Sequence, residues 1–198
     1  MGLVILGALA LYLVLSIFVV IGAINHAKKT GRSAKNWGWG VALVMYLIPF
    51  WDWIPTVAMH RYYCATEAGF WVDKTLVQWK QENPGVMEAL VANAGEPHTS
   101  SGDAGDNVDT YFLNPRLNMI VKRIGPLPIH QWRYERALID TKTNEVLGRY
   151  VDFSTSQERP MAEWSGWKFW LDTRHCSGGR DNAISSGNWI NQFRGEKK

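Results

Sequence analysis

The side chains best suited to chemistry in this 198-residue sequence are two cysteines and the histidines beside them. Cys64 and Cys176 are the only cysteines. His60 precedes Cys64 by about one helical turn, which puts both on one face of a helix, and His175 adjoins Cys176. Three chemistries compete for these residues. A Cys64–Cys176 disulfide closes a long loop and, in the chain-entropy view, contributes up to about 5 kcal/mol. A Cys₂His₂ set of His60, Cys64, His175 and Cys176 offers donors that zinc and copper accept. The His60/Cys64 spacing suits that set, whereas His175 and Cys176 are less comfortable because neighbouring side chains diverge. The third is a cysteine phosphatase loop, because His175-Cys176-Ser177-Gly178-Gly179-Arg180 approaches the H-C-x5-R signature. There Arg180 comes too early and Asn182 takes the required position, so the backbone ring and thiolate that chemistry needs are not provided.

Other constellations are weaker. Asp103, Asp106 and Asp109 recur at every third position in a polar, Gly-rich stretch and hint at calcium. An EF-hand places its ligands at alternate positions around a turn-forming Gly, so the stretch reads as a solvated loop. No G-x-S-x-G, Walker A, H-E-x-x-H or C-x-x-C-H motif occurs, and the sequence nominates no catalytic residue and no cofactor.

The first 60 residues decide which side of a membrane these groups occupy. Leu3 to Ile24 carry no charged side chain, and as a helix they extend about 33 Å, enough to cross a hydrocarbon core. A second apolar run begins at Trp37 and reaches about Trp51. Trp37 and Trp39 at its start and Trp51 and Trp53 near its end fit an aromatic belt at each interface, about 21 Å apart along a helix. Between the spans, residues 25–36 hold Lys28, Lys29, Arg32 and Lys35. The first run lacks a basic leader and an A-x-A cleavage site, so it reads as a retained span rather than a signal peptide.

That loop accounts for the net charge of +3. Asp52 offsets one of its four cations, and the chain from His60 onward is balanced. The basic character is therefore a topology signal and excludes a nucleic-acid surface. The positive-inside rule keeps the loop cytoplasmic and puts both termini on the far face. Both cysteines then lie in an oxidising compartment, which favours the disulfide.

Pro49, Asp52 and Pro55 mark a break in the second run, with Asp52 ending one helix near the outer interface and capping the next. From about Trp53 the apolar spacing Ala58, Tyr62, Ala65, Gly69, Val72, Leu76, Trp79 predicts one long helix to Glu82, stopped by Asn83-Pro84-Gly85. Arg133–Asp140 and Glu145–Thr155, joined by Thr141-Lys142-Thr143-Asn144, predict a β-hairpin. Asn118–Arg123, before the turn-rich Gly125-Pro126-Leu127-Pro128, and Tyr111–Leu113 are lesser strand candidates. Trp164, Trp167 and Trp170 have the spacing of a short amphipathic helix. It either packs in the core or meets a partner or the outer leaflet. The tail from Ser177 reads as a polar segment wrapping the surface.

Ile48-Pro49-Phe50-Trp51-Asp52-Trp53-Ile54-Pro55, followed by His60-Arg61-Tyr62-Tyr63-Cys64-Ala65-Thr66-Glu67-Ala68-Gly69, resembles an uncharacterised family of small bacterial membrane-anchored proteins. Its marks are a Pro-aromatic-Asp-x-Ile-Pro break and a Tyr-x-x-Cys-x-x-Glu-x-Gly helix. The hairpin and the late cysteine look similar as well, while Asp73 departs from the pattern. The resemblance covers about a third of the chain and implies a bacterial membrane setting but no activity.

Together these readings predict an α+β membrane protein. Residues 1–59 form a two-helix transmembrane hairpin, with spans at about 3–24 and 37–51 and a basic cytoplasmic loop at 25–36. A long membrane-proximal helix leads into a small antiparallel-sheet domain, residues 60–198, in the periplasm. The expected protein is a non-catalytic, two-pass inner-membrane protein, an accessory or assembly subunit of a membrane or envelope complex. Its partners are lipid and other subunits. The alternative is a periplasmic metal-binding or redox accessory protein using His60, Cys64, His175 and Cys176. A channel role would need oligomers, for which small residues such as Gly7, Gly22 and Gly38 would permit close helix contacts.

Overall fold

The computed structural model describes residues 2–93, 98–102, 106–157 and 168–195. The chain divides into two compact units, Met1–Pro55 and Thr56–Lys198.

In the first unit, α1 (Gly2–Lys29) runs through the uncharged stretch and ends on its own basic residues. A short turn follows, and Ser33 caps α2 (Ala34–Phe50) by accepting a hydrogen bond from the Asn36 N–H. The helices lie side by side. The Tyr12 hydroxyl donates to the Met45 carbonyl at 2.6 Å, and Ile24 packs against Gly38, where an added Cβ would stand 3.0 Å from the Ile24 side chain. Lys28, Lys29, Arg32 and Lys35 cluster around the turn, with Arg32 over the Trp37 ring at 5.3 Å. By length and apolarity Leu3–Lys29 is the one described helix able to cross a membrane by itself, and the same properties suit a signal sequence. The second expected span is too short as α2 alone. It reaches the required length only if α2 and the next helix act as one broken span.

The break falls where the prolines place it. Pro49 sits inside the end of α2, Trp51 and Asp52 form a turn, and α3 (Trp53–Thr66) starts with Pro55 in its first turn. Asp52 is buried at this turn, whereas Trp37, Trp39, Trp51 and Trp53 are all exposed.

The predicted helix from Trp53 to Glu82 is three elements instead. α3 stops at Thr66, whose hydroxyl donates to the Tyr62 carbonyl. Next come β1 (Gly69–Val72) and α4 (Leu76–Glu82), then a single turn, α5 (Val86–Ala89). Gly69 weakens the helix, and Phe70-Trp71-Val72 favour a strand once a partner edge is available. Thr75 and Gln78 then form a reciprocal capping box that restarts the helix. Of the apolar positions that suggested continuity only Trp79 is buried, and Tyr62 and Val72 are exposed.

The sheet is six-stranded and antiparallel, in the order β1-β6-β5-β4-β3-β2. β2 is His98–Gly102, β3 Asn107–Phe112, β4 Leu117–Leu127, β5 Gln131–Asp140 and β6 Glu145–Thr155. The β5–β6 hairpin has the expected turn, with Asn144 at positive φ as its chemistry favours. β4 passes through Gly125-Pro126, which had suggested a turn. A register shift between Ile124 and Leu127 accommodates it, and Pro126 is in the cis form. Part of the expected Gly-rich loop is β2. Asp109, expected in solvent, is buried under an ion pair with Arg123 and accepts from Ser100 and Asn107. Asp103 lies outside the described residues, and so do Trp164 and Trp167. Trp170 belongs to a 3₁₀ turn, Phe169–Leu171, in which Leu171 is buried.

The main core forms between one sheet face and helices from both ends of the domain. Leu117, Leu138 and Leu147 meet Trp79 from α4, with Ile190 and Phe193 from the C-terminal segment. That segment is α6 (Gly179–Asn191), a correction to the expected surface tail. Ile190 on its inward side and Phe193 just beyond its end reach the core. At the edge of this core Asp140 accepts from the Trp79 indole at 2.9 Å, from the Arg116 guanidinium at 3.0 Å and from the Lys142 N–H at 3.0 Å. Asp140→Ala leaves a half-buried Arg116 charge unpaired. It should destabilise the domain by about 3 kcal/mol, read as a lowered urea midpoint of the full-length protein in detergent. A change within about 0.5 kcal/mol, the range of an ordinary surface substitution, would contradict the packing described.

Candidate functional site

The cysteine site forms where one sheet edge changes partners. β1 pairs with β6 from Gly148 to Val151 and goes no further. Beyond it the exposed edge of β6 is taken by the segment after the 3₁₀ turn. Thr155 and Thr173 exchange both backbone hydrogen bonds, at 2.8 and 3.0 Å, and the Thr155 hydroxyl donates to the Leu171 carbonyl. This lays Arg174-His175-Cys176 alongside Asp152 and Phe153. On the same part of the sheet α3 packs through Tyr63, whose ring stacks on Phe153 at 5.0 Å. Cys64, the next residue on α3, meets Cys176 with a Cα–Cα distance of 5.4 Å, and their sulfurs are bonded as a disulfide. Val151, Phe153 and Tyr63 form a small apolar cluster around it.

Asp152 organises this corner. Its buried carboxylate accepts from its neighbour Phe153 N–H at 2.9 Å, from the Cys176 N–H at 3.0 Å and from His175 Nδ1 at 2.7 Å. The Tyr150 hydroxyl lies 2.9 Å from both the carboxylate and the Gly179 carbonyl. Burial, then the adjacent Asp152 charge, pushes the Tyr150 phenol far above its ordinary value, so it remains a donor. The carboxylate also explains Gly179, where a Cβ would stand 2.8 Å from its oxygens. Gly178 turns the chain into α6 with φ of 75°.

The four residues of the proposed metal set are only partly assembled. A ring nitrogen of His60 is 3.5 Å from Cys64 Sγ. The ligand atoms of His60, Cys64 and Cys176 lie within 4.8 Å of one another. His175 is not in this group, because it turns to Asp152, as adjacent side chains that diverge would. Both sulfurs are committed to each other, so no thiolate is available while the disulfide is intact. His175 and Asp152 have the geometry of an oriented imidazole. Even so, no hydroxyl or thiol among the described residues hydrogen-bonds to that ring, and a nucleophile–base pair is not formed.

His60 is buried. Burial lowers its pKa, and hydrogen bonding of the ring to the Gln131 side chain and the His175 backbone as acceptors, with the Asp152 charge, opposes that shift. Gln131, completely buried, donates to the Thr56 and Ile129 carbonyls at 3.0 and 3.1 Å, which fixes it below the ring. Sequence reasoning found the cysteines and both histidines but missed Asp152 and Gln131. The available signal was a carboxylate inside the run Tyr150-Val151-Asp152-Phe153, where a strand with both faces covered needs donors for it.

Comparison with protein-family models, with curated proteins and with solved structures found no match.

The pKa directions set the acid response. His60 is lowered in the fold, so the unfolded chain takes up its proton first, and stability falls as pH drops below the ordinary value of 6.5. Asp109 is held low by its Ser100 hydrogen bond, with Arg123 assisting against burial. Asp140 resists burial through Arg116, Trp79 and the Lys142 N–H and also stays low. Their stabilisation is lost in a separate window, below the ordinary 3.8. Urea midpoints measured from pH 7 to 3 should decline in two phases, and His60→Gln should remove only the first. A midpoint that stays level from pH 7 to about 5 would contradict the assignment.

Proposed function

We propose that this chain is a non-catalytic bacterial inner-membrane protein, an accessory or assembly subunit of a membrane or envelope complex. Residues 1–59 would be its two-pass anchor, with Lys28, Lys29, Arg32 and Lys35 in the cytoplasm. Residues 60–198, with both chain ends, would face the periplasm. One observation carries this reading: the most apolar window of Leu3–Lys29 is 0% buried within the protein. So long an apolar surface, touched along one side by α2 and otherwise left uncovered, is supported by lipid, not by water. The exposed apolar residues of α2, among them Leu43, Val44 and Ile48, support the same reading. The Cys64–Cys176 disulfide supports an oxidising compartment for the second unit. The partners would be membrane lipid and other subunits, and the charge balance supports no nucleic-acid partner. Purification from native membranes in mild detergent should recover the chain in a complex larger than its own 22.5 kDa, with co-purifying protein. Recovery as a lone monomer would argue against a subunit role.

A second reading, a periplasmic metal-binding or redox accessory protein, is favoured by the closeness of His60 to the cysteine sulfurs. Reduction would free two thiolates beside that imidazole, a three-donor set of the kind zinc or copper accepts. Thiol counting with elemental analysis on the purified protein separates the readings. A quantitative disulfide without metal supports the first. Two free thiols with stoichiometric zinc or copper support the second.

A further inference from the structure

A cavity of about 330 Å³ opens on the sheet face that carries α6. Trp132 and Tyr134 of β5, Tyr150 of β6 and Ala183 of α6 form its apolar walls. Its volume lies at the lower end of the range for small-molecule sites. The charged groups around it differ in how far they are already neutralised. Asp152 keeps its charge, but its oxygens are taken by four donors, one of them His175. Arg123 is paired with Asp109. The Arg133 guanidinium is taken by Glu67 and Glu135, at 3.1 and 3.3 Å.

Two cations remain. Arg136 is half-buried, and among the described residues its guanidinium hydrogen-bonds only to neutral oxygens, the Tyr134 hydroxyl at 3.0 Å and Ser186 Oγ at 3.3 Å. Arg174 is exposed and has neither an ion pair nor a hydrogen bond among the described residues. A half-buried guanidinium whose hydrogen-bond partners are all neutral retains the capacity to take an anion directly. Its planar fork also matches a carboxylate in two parallel hydrogen bonds. Aromatic walls beside it suit a flat apolar body.

We propose that this cavity binds a small organic carboxylate with a flat, apolar or aromatic body. The acid group is held by Arg136 and Arg174, and the body lies against Trp132, Tyr134 and Tyr150. The site belongs wholly to the second unit and goes beyond the proposed subunit role. Its test is calorimetric titration of the full-length protein in detergent. The probes are benzoate and indole-3-acetate, their neutral amides, and inorganic phosphate. At least one acid should bind saturably, and its amide should bind more weakly by about tenfold or more. Arg136→Lys, which keeps a charge but loses the fork, should weaken the acid to a similar degree. Arg174→Gln removes no contact within the fold. It should weaken the acid several-fold at an unchanged thermal midpoint, and it decides the matter if Arg136→Lys does not fold. Equal binding of acid and amide, phosphate competing as well as the aromatic acid, no saturable heat from either acid, or indifference to Arg174→Gln would each overturn the proposal.

Discussion

A single buried carboxylate, Asp152, sets the arrangement of the second unit. A charge in this position is costly unless it is fully hydrogen-bonded, and its donors come from the segment and side chains that must meet there. The Cys176 N–H holds the late segment on the free edge of β6. The His175 ring and the Tyr150 hydroxyl close the other oxygen, and Gly179 lets α6 begin against the carboxylate without a clash. With Cys176 fixed in this way, Cys64 on α3 finds it at bonding distance. The covalent link and the polar cluster are therefore one construction, the carboxylate supplying the position and the disulfide making it permanent.

The same corner sends the site residues apart. The Phe153 ring meets Tyr63 of α3 beside the disulfide, and Tyr150 and Asp152 meet the start of α6 and line the carboxylate cavity. His60 and His175, adjacent in a Cys₂His₂ reading, fall on different tasks. His60 is buried over Gln131, and His175 is oriented by Asp152 at the cavity mouth.

How much of this was legible in the sequence depended on whether the signal was local. The β5–β6 hairpin was readable because its alternation and its Thr-Lys-Thr-Asn turn are contained in neighbouring residues. The break at Pro49 and Pro55 was readable for the same reason. β1 and β2 were not. Gly69–Val72 becomes a strand only because β6, far along the chain, offers an edge, and His98–Gly102 is a polar run made regular by β3. α6 was hidden by its sparse apolar residues, although Ile190 and Phe193 reach the core. At the site, the cysteine pair was legible from count, because Cys64 and Cys176 are the only two cysteines. Asp152, Gln131 and Arg136 were not, because their roles come from partners brought together by the sheet.

The proposed topology puts the second unit across a bilayer from the basic turn. Labelling intact cells with a membrane-impermeant amine reagent, with lysed cells as the control, tests this most directly. The account predicts modification of the exposed Lys122 and Lys142 in intact cells, with Lys28 and Lys29 reacting only after lysis. Lys28 and Lys29 modified in intact cells while Lys122 and Lys142 are protected would contradict it.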